Sequence, residues 1–181
     1  RVDGTDPVAV HEAARAAGMP EVNVDLIYGL PLQTMSTFRD TLQKVIRLRP
    51  DRIAVFNYAH VPWMKAHQRL IHAEDLPSAD DKLNILKMTI EMLCSDGYEY
   101  IGMDHFAKPD DELSVAMREK KLYRNFQGYS TNAGADLYAF GITSISQLKN
   151  IYAQNYKTEK EYYTALDNET IPTAKGYKLN E

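Results

Sequence analysis

The chain has 181 residues, of which 44% are hydrophobic and 25% are charged, a composition typical of a globular domain. Its formal net charge of -4 argues against a nucleic-acid or polybasic membrane surface, and no apolar run reaches the roughly 20 residues of a membrane-spanning helix. We therefore expect a cytoplasmic protein without nucleic-acid or membrane partners. Cys94 is the only cysteine, which excludes an intramolecular disulfide and an iron–sulfur cluster or multi-thiolate zinc site held by this chain alone.

The two ends of the sequence indicate a longer protein. Arg1 stands where an initiator methionine is expected, and residues 173–181 run into polar sequence without a closing helix. Such ends are typical of a processed or excised segment. We expect this sequence to be a piece of a larger chain.

Helix-like and strand-like patterns alternate from the beginning of the chain. A capping carboxylate followed by proline predicts a first helix over residues 6–18, and a near-continuous apolar run predicts a strand at 22–28. Ser36 is expected to cap the second helix, which ends before Pro50. The first two helices therefore flank a buried strand.

The same order recurs further along the chain. A second apolar strand is predicted at 52–59, a helix begins near Ser78, and a third strand follows at 98–103. The apolar stripe of this helix is predicted to consist of Leu83, Leu86, Ile90 and Leu93. Repeated strand-then-helix units predict an α/β fold with parallel strands, either an open doubly wound sheet or an arc of a barrel.

The last third of the chain is less regular. An aromatic and polar loop is predicted at 123–132, an apolar run at 137–145 and a polar helix at 158–166. The composition of residues 125–129 suits a loop that folds over a ligand, and it equally suits any packed loop.

Polar side chains lie near the ends of the three predicted strands, where the functional groups of a parallel sheet gather. Asp25 lies inside the first strand, so its carboxylate either accepts structural hydrogen bonds or contacts a ligand. His60, Asp104 and His105 are of the types that bind zinc or iron. Their spacing matches no compact metal motif, and hydrogen-bonded histidines at strand ends are the alternative.

Several other kinds of site have no support in the sequence. It contains no glycine-rich phosphate loop, no serine-hydrolase elbow and no helical zinc-protease motif. Cys94 lies on a predicted helix next to a core leucine, and we expect an inert, partly buried thiol.

Four strings carry a more specific signal. They are NVDLIYGLP at 23–31, VFNYAH at 55–60, GMDHFAKPDDEL at 102–113 and RNFQGY at 124–129. In this order they resemble the oxygen-independent coproporphyrinogen III oxidases of haem biosynthesis, which are radical S-adenosylmethionine (SAM) enzymes. The first string is shared with a paralogous group of haem chaperones, whereas the last two strings favour the oxidases.

One departure from this family is as informative as the resemblance. Radical SAM enzymes hold a 4Fe-4S cluster with three cysteines in a C-x-x-x-C-x-x-C run, which this sequence lacks. The resemblance therefore implies that residues 1–122 are the C-terminal half of a partial (β/α)6 barrel with parallel strands, and that the cluster lies upstream. Residues 123–181 would contain a loop that covers substrate and cofactor, the last barrel strand and a linking region.

The resemblance also implies an activity and its cofactors. Such an oxidase decarboxylates two propionates of coproporphyrinogen III to give protoporphyrinogen IX, through a radical derived from SAM. The parent enzyme would hold one 4Fe-4S cluster and two SAM molecules. We expect the 181-residue chain alone to be inactive.

Four residues match positions at which this family contacts SAM: Asp25, Ala59, Gln127 and Ile145. A carboxylate can accept hydrogen bonds from a ribose or an ammonium group, a backbone can pair with adenine, an amide can donate and accept, and an isoleucine can form an apolar wall. We assign no catalytic residue and no metal ligand within this chain.

Two alternatives remain open. One is the paralogous haem chaperone, which transfers haem. The other is an unrelated cofactor-free α/β enzyme that uses Asp104 and His105 as acid and base. A final expectation concerns assembly, because the apolar strand at 22–28 has few charges to protect an unpaired edge and is predicted to drive self-association.

Overall fold

The computed structural model describes residues 6–180, which form two compact units. The N-terminal unit extends to Leu122, and the C-terminal unit begins at Tyr123. None of the helices in the described range is both long and apolar enough to cross a membrane.

The N-terminal unit combines a four-stranded sheet with four α-helices. The helices are α1 (Pro7–Ala16), α2 (Met35–Leu48), α3 (Ala79–Ser95) and α4 (Glu112–Arg118). The strands are β1 (Asn23–Tyr28), β2 (Arg52–Asn57), β3 (Glu99–Gly102) and β4 (His105–Ala107). Two short 3-10 helices, Ala66–Leu70 and Ala73–Asp75, lie between β2 and α3.

The sheet is mixed, which corrects the expectation of parallel strands throughout. Its strand order is β1-β2-β4-β3, and β1 pairs with β2 in parallel from Asn23 opposite Arg52 to Tyr28 opposite Asn57. Strand β4, in contrast, runs antiparallel to both β2 and β3. The predicted third strand is therefore the first arm of a hairpin rather than a neighbour of β2.

A tight turn explains this hairpin. Gly102 pairs with His105, so only Met103 and Asp104 connect the two strands. Gly102 and Met103 have φ angles of 133° and 51°, which a short hairpin turn requires and which glycine adopts readily. The chain turns back here instead of crossing over through a helix.

Capping side chains set the starts of the two long helices. Thr34 caps α2 by accepting a hydrogen bond from the Thr37 N–H, so the predicted cap at Ser36 lies two residues too late. Ser78 caps α3 through the Asp81 N–H, as predicted.

The core lies between one face of the sheet and the helices α2 and α3. Fully or nearly fully buried side chains form it: Phe38, Leu42 and Val45 from α2, Ile85, Met88 and Leu93 from α3, and Tyr28, Ile53, Val55 and Phe106 from the strands. Leu83, which was predicted to belong to the buried stripe of α3, is 49% exposed, whereas Ile85 is fully buried. The other three predicted residues are confirmed, because Leu93 is fully buried and Leu86 and Ile90 pack against the core.

Ion pairs and a hydrogen bond stabilise the amino ends of β1 and β2. Asp51 precedes β2 and forms ion pairs with Arg15 and Lys108, and it accepts a hydrogen bond from the Val22 N–H at 2.8 Å. Arg52 pairs with the buried Asp111, which also caps α4. These stabilising contacts therefore lie at the amino ends of β1 and β2, opposite to the carboxyl ends of the two strands.

The C-terminal unit is built mainly from antiparallel strands. They are β5 (Tyr123–Arg124), β6 (Tyr129–Ser130), β7 (Ile145–Leu148), β8 (Ile151–Asn155) and β9 (Thr173–Lys178). Strands β5 and β6 form a hairpin, and β7, β8 and β9 form a second sheet in that order. Helix α5 (Glu159–Asp167) lies between β8 and β9 and confirms the polar helix predicted at 158–166.

Candidate functional site

One face of the N-terminal sheet carries polar side chains among apolar ones; Asp25, Ile27 and Phe56 on this face are exposed, His105 is half-buried and Ala54 is buried. Along β1, the exposed residues alternate with those that pack on the core, as the period of a strand requires. Residues that oppose each other across the strands share a face, so this face includes Asp25, Ile27, Ala54, Phe56 and His105. We call these five residues the open face.

An aromatic contact joins two members of the open face. The rings of Phe56 and His105 meet edge to face, with their centroids 6.1 Å apart. Ile27, in register with Phe56, is 46% exposed. The open face thus offers an apolar wall beside the carboxylate of Asp25 and the imidazole of His105, a combination that suits an amphipathic small molecule.

Asp25 was predicted to be either a structural hydrogen-bond acceptor or a ligand contact. In the structure it is exposed, and its carboxylate has no hydrogen bond or ion pair with any residue in the range 6–180. The desolvation cost that was expected for a buried carboxylate does not arise here. Its acceptor atoms are free to pair with a ligand.

Gln33 holds the loop that follows β1. Its amide oxygen accepts a hydrogen bond from the Gly29 N–H at 2.6 Å, and its amide nitrogen donates to the Ile27 carbonyl at 3.3 Å. Gly29 has a φ angle of 83°, and a Cβ at this position would lie 2.9 Å from Lys82 Cε. The turn therefore depends on both a glycine and a bridging amide.

Gln68 holds the loop that follows β2 in the same manner. Its amide oxygen accepts a hydrogen bond from the Val61 N–H at 2.6 Å, and its amide nitrogen donates to the Ala59 carbonyl at 3.0 Å. Gln68 is 8% exposed and lies on the 3-10 helix Ala66–Leu70. The sequence analysis missed both glutamines, since no local motif indicates which loop a distant amide will reach.

The loop after β2 contains the second predicted site residue. Ala59 is exposed and lies two residues beyond the end of β2, with its carbonyl engaged by Gln68. The N–H groups of Ala59 and His60 have no acceptor within residues 6–180. Two adjacent backbone donors are therefore available at the carboxyl end of β2.

The other two predicted site residues belong to the C-terminal unit. Gln127 is exposed in the turn of the β5–β6 hairpin, where its N–H donates to Asn125 Oδ1 at 2.9 Å. Ile145 is half-buried at the start of β7, opposite Gln154. The structure thus distributes the four predicted SAM contacts between the two units, two in each.

The residues considered for a metal site do not form one. His60 follows β2 and packs near Tyr58, whereas His105 begins β4 and packs on Phe56. Within residues 6–180, no three histidine, cysteine, aspartate or glutamate side chains are grouped in a way that would hold a metal ion. Cys94 is exposed on α3, which corrects the expectation that it is partly buried.

One tyrosine at the carboxyl end of β1 has a raised pKa. Burial, followed by the proximity of Asp104 and Tyr100, raises the pKa of Tyr28 above its ordinary value of 10.0. Tyr28 pairs with Asn57 at the end of the parallel strands. Asp104 therefore places a negative charge near the carboxyl end of β1.

Comparison with known proteins gives one consistent result. The chain is 57% identical over 167 residues to the oxygen-independent coproporphyrinogen III oxidase of Synechocystis, and 53% identical over 166 residues to that of Escherichia coli. A solved structure of the coproporphyrinogen III oxidase from Escherichia coli, described as a radical SAM enzyme, matches 98% of the chain with a TM-score of 0.92 at 48% identity. No protein-family model matches the chain.

The matches cover most of this chain but less than half of each relative. Each of the two sequence matches covers 92% of this chain and 36% of the relative. The structural match covers 42% of the solved chain. The chain therefore spans little more than a third of the length of these curated relatives.

Proposed function

We propose that this chain supplies one segment of an oxygen-independent coproporphyrinogen III oxidase, a radical SAM enzyme. The whole enzyme oxidatively decarboxylates two propionates of coproporphyrinogen III to vinyl groups, which yields protoporphyrinogen IX for haem synthesis in the cytoplasm. The observation that carries the proposal is the agreement of nearly the whole chain with a solved radical SAM oxidase, at 48% identity and a TM-score of 0.92.

The residues of the open face fit the binding of SAM. Asp25 offers unpaired carboxylate oxygens to a ribose hydroxyl or an ammonium group, and Ile27 and Phe56 offer apolar surface to a ring. Ala59 offers a free backbone N–H at the end of the neighbouring strand. These groups bind and orient; none of them needs to supply a proton or an electron.

Gln127 and Ile145 are the two proposed SAM-contact residues of the C-terminal unit. The exposed Gln127 amide can both donate and accept hydrogen bonds, and Ile145 contributes an apolar contact. With Asp25 and Ala59 they would serve two SAM molecules in the whole enzyme. The N-terminal unit would then be the second half of a partial (β/α)6 barrel whose interior is lined by the open face.

The residues of this chain do not fit a 4Fe-4S cluster. Three thiolates are required, and the sequence contains one cysteine, which is exposed on α3. The cluster ligands would therefore come from another part of the whole enzyme. There the cluster and SAM supply the one-electron chemistry, and the protein supplies placement and shielding from water.

A chimera tests the proposal directly. The matching segment of the Synechocystis oxidase is replaced by the residues of this chain that align with it, and the reconstituted protein is assayed anaerobically for porphyrin products by chromatography. We expect SAM-dependent decarboxylation of both propionates. A chimera that carries its cluster and binds SAM but forms no product, beside an active Synechocystis enzyme, would contradict the proposal.

Two other functions have weaker support. A haem chaperone would bind haem stoichiometrically without decarboxylating a propionate, and the relatives described above carry the oxidase name instead. A cofactor-free enzyme that uses Asp104 and His105 predicts activity from the 181-residue chain alone. Haem titration of the chimera, and an activity assay of the isolated chain, separate these candidates from the oxidase.

A further inference from the structure

Gln68 is a buried polar residue whose amide oxygen and amide nitrogen both form hydrogen bonds with the loop after β2. Its amide oxygen and nitrogen bond the Val61 N–H and the Ala59 carbonyl, at 2.6 Å and 3.0 Å. It lies on a separate element, the 3-10 helix Ala66–Leu70, so it links that helix to the loop after β2. A buried amide in this position is costly unless both ends are paired, and here both are.

The two hydrogen bonds decide which backbone groups of the loop remain for a ligand. With the Ala59 carbonyl and the Val61 N–H engaged, the N–H groups of Ala59 and His60 are left as donors. The beginning of the loop is fixed by the Tyr58 N–H, which donates to the Tyr28 carbonyl at 2.8 Å. Both ends of the segment 58–61 are therefore anchored around the two free donors.

We infer that Gln68 is a positioning residue for SAM binding, because it fixes the orientation of the peptide at Ala59 and His60. The inference rests on the proposed oxidase function. Without the Gln68 amide, the loop retains its anchor to β1, but the peptides between residues 59 and 61 can rotate. A rotated peptide presents its donor in the wrong direction and lowers affinity for a ligand that needs it.

The experiment uses the chimera described above with two variants of Gln68. Gln68→Met keeps the length of the side chain and removes both hydrogen bonds, whereas Gln68→Glu keeps an acceptor for the Val61 N–H and loses the donor to Ala59. Gln43→Met on the exposed side of α2 is the matched control. We expect SAM affinity to fall about tenfold in Gln68→Met, less in Gln68→Glu, and not at all in Gln43→Met.

Two further readouts separate positioning from general stability. Hydrogen exchange should accelerate in the peptide that contains residues 58–61, while the absorption spectrum of the cluster stays unchanged. Unchanged SAM affinity in Gln68→Met, or loss of folded protein in both variants, would make Gln68 merely structural and overturn the inference. If the unmodified chimera binds no SAM, the proposed function itself fails and the inference fails with it.

Discussion

Asp25 and His105 lie in one row across the open face, with only the methyl side chain of Ala54 between them. Asp25 opposes Ala54 on one side and His105 opposes it on the other. Since neighbouring strands are about 4.8 Å apart, the two polar residues are separated by about 10 Å of backbone. A ligand that contacts both side chains would have to span this distance.

The first prediction concerns the contribution of the Asp25 carboxylate to SAM affinity. In the chimera, Asp25→Ala should weaken SAM binding by roughly 1.5–3 kcal/mol, the range for a hydrogen bond to a charged group. Thermal stability should stay nearly constant, because the carboxylate has no partner within residues 6–180. Isothermal titration and thermal melting measure the two effects.

A matched substitution shows whether the Asp25 effect is specific. Asp40→Ala removes an exposed carboxylate from α2, which packs on the opposite face of the sheet, and should change neither affinity nor melting temperature. If Asp25→Ala lowers the melting temperature and leaves affinity intact, Asp25 is structural.

The turn after β1 gives a second prediction, about backbone strain. Gly29→Ala places a Cβ 2.9 Å from Lys82 Cε and 3.2 Å from Asn57 Oδ1, at a φ angle of 83°. Gly18 has a similar φ angle of 80° but open space around the position of a Cβ. We expect Gly18→Ala to lower the free energy of unfolding by about 1 kcal/mol and Gly29→Ala to lower it by about 2–3 kcal/mol.

Urea unfolding of the two variants separates the cost of the φ angle from the cost of the close contact. Equal losses of free energy in both variants would mean that the Lys82 side chain moves aside without cost.

The sequence predicts those elements of the fold that are determined by residues close together in the chain. The cap at Ser78 and the strands β1 and β2 follow from neighbouring residues, and these predictions are confirmed. The β3–β4 hairpin was not predicted, because the sequence around Met103 resembles the end of a single strand that a helix would follow. Gly102 and Asp104, on either side of Met103, are the turn-forming residues that could have indicated it.

The candidate site shows the same limit. The position of Asp25 inside β1 follows from the strand pattern, but its exposure does not, since that depends on which face of the sheet the helices cover. The bridging roles of Gln33 and Gln68 depend on how loops approach separate elements. No periodicity along the chain encodes such contacts.

Asp51 provides a prediction about pH. Burial alone would raise the pKa of Asp51, but the Val22 N–H and the cations of Lys108 and Arg15 together lower it below 3.8. A lowered folded-state pKa contributes stability that is present above pH 3.8 and is lost as pH falls through the folded-state value. Asp51→Asn should therefore lower the free energy of unfolding by roughly 1–3 kcal/mol at pH 7.

The difference between Asp51→Asn and the unmodified chain should shrink as the pH falls below 4, because protonation then removes from Asp51 the charge that the Asn variant already lacks. Urea unfolding at pH 7, 5 and 3 measures this convergence. A difference that stays constant over this range would mean that the ion pairs of Asp51 contribute nothing to stability.

The single thiol leads to a prediction about iron. After anaerobic reconstitution with iron and sulfide, the 181-residue chain should show no broad cluster absorption, since one cysteine cannot hold four irons. The chimera with the Synechocystis sequence is the positive control. Iron and sulfide contents near four per chain in the 181-residue protein would contradict the assignment of the cluster ligands to another part of the enzyme.

The edge of the N-terminal sheet leads to the last prediction. Strand β1 ends the strand order and pairs only with β2 among the described strands, so its outer backbone groups have no strand beside them. Unpaired edges that carry few charges recruit a second strand. We expect the 181-residue chain to self-associate at micromolar concentrations, and Ile27→Lys in β1 to reduce this.

Leu83→Lys is the control, because Leu83 is exposed to a similar degree, 49% against 46%, but lies on α3. Light scattering decides between the outcomes: a monomer throughout the micromolar range, or equal effects of both lysines, would show that β1 does not form the contact.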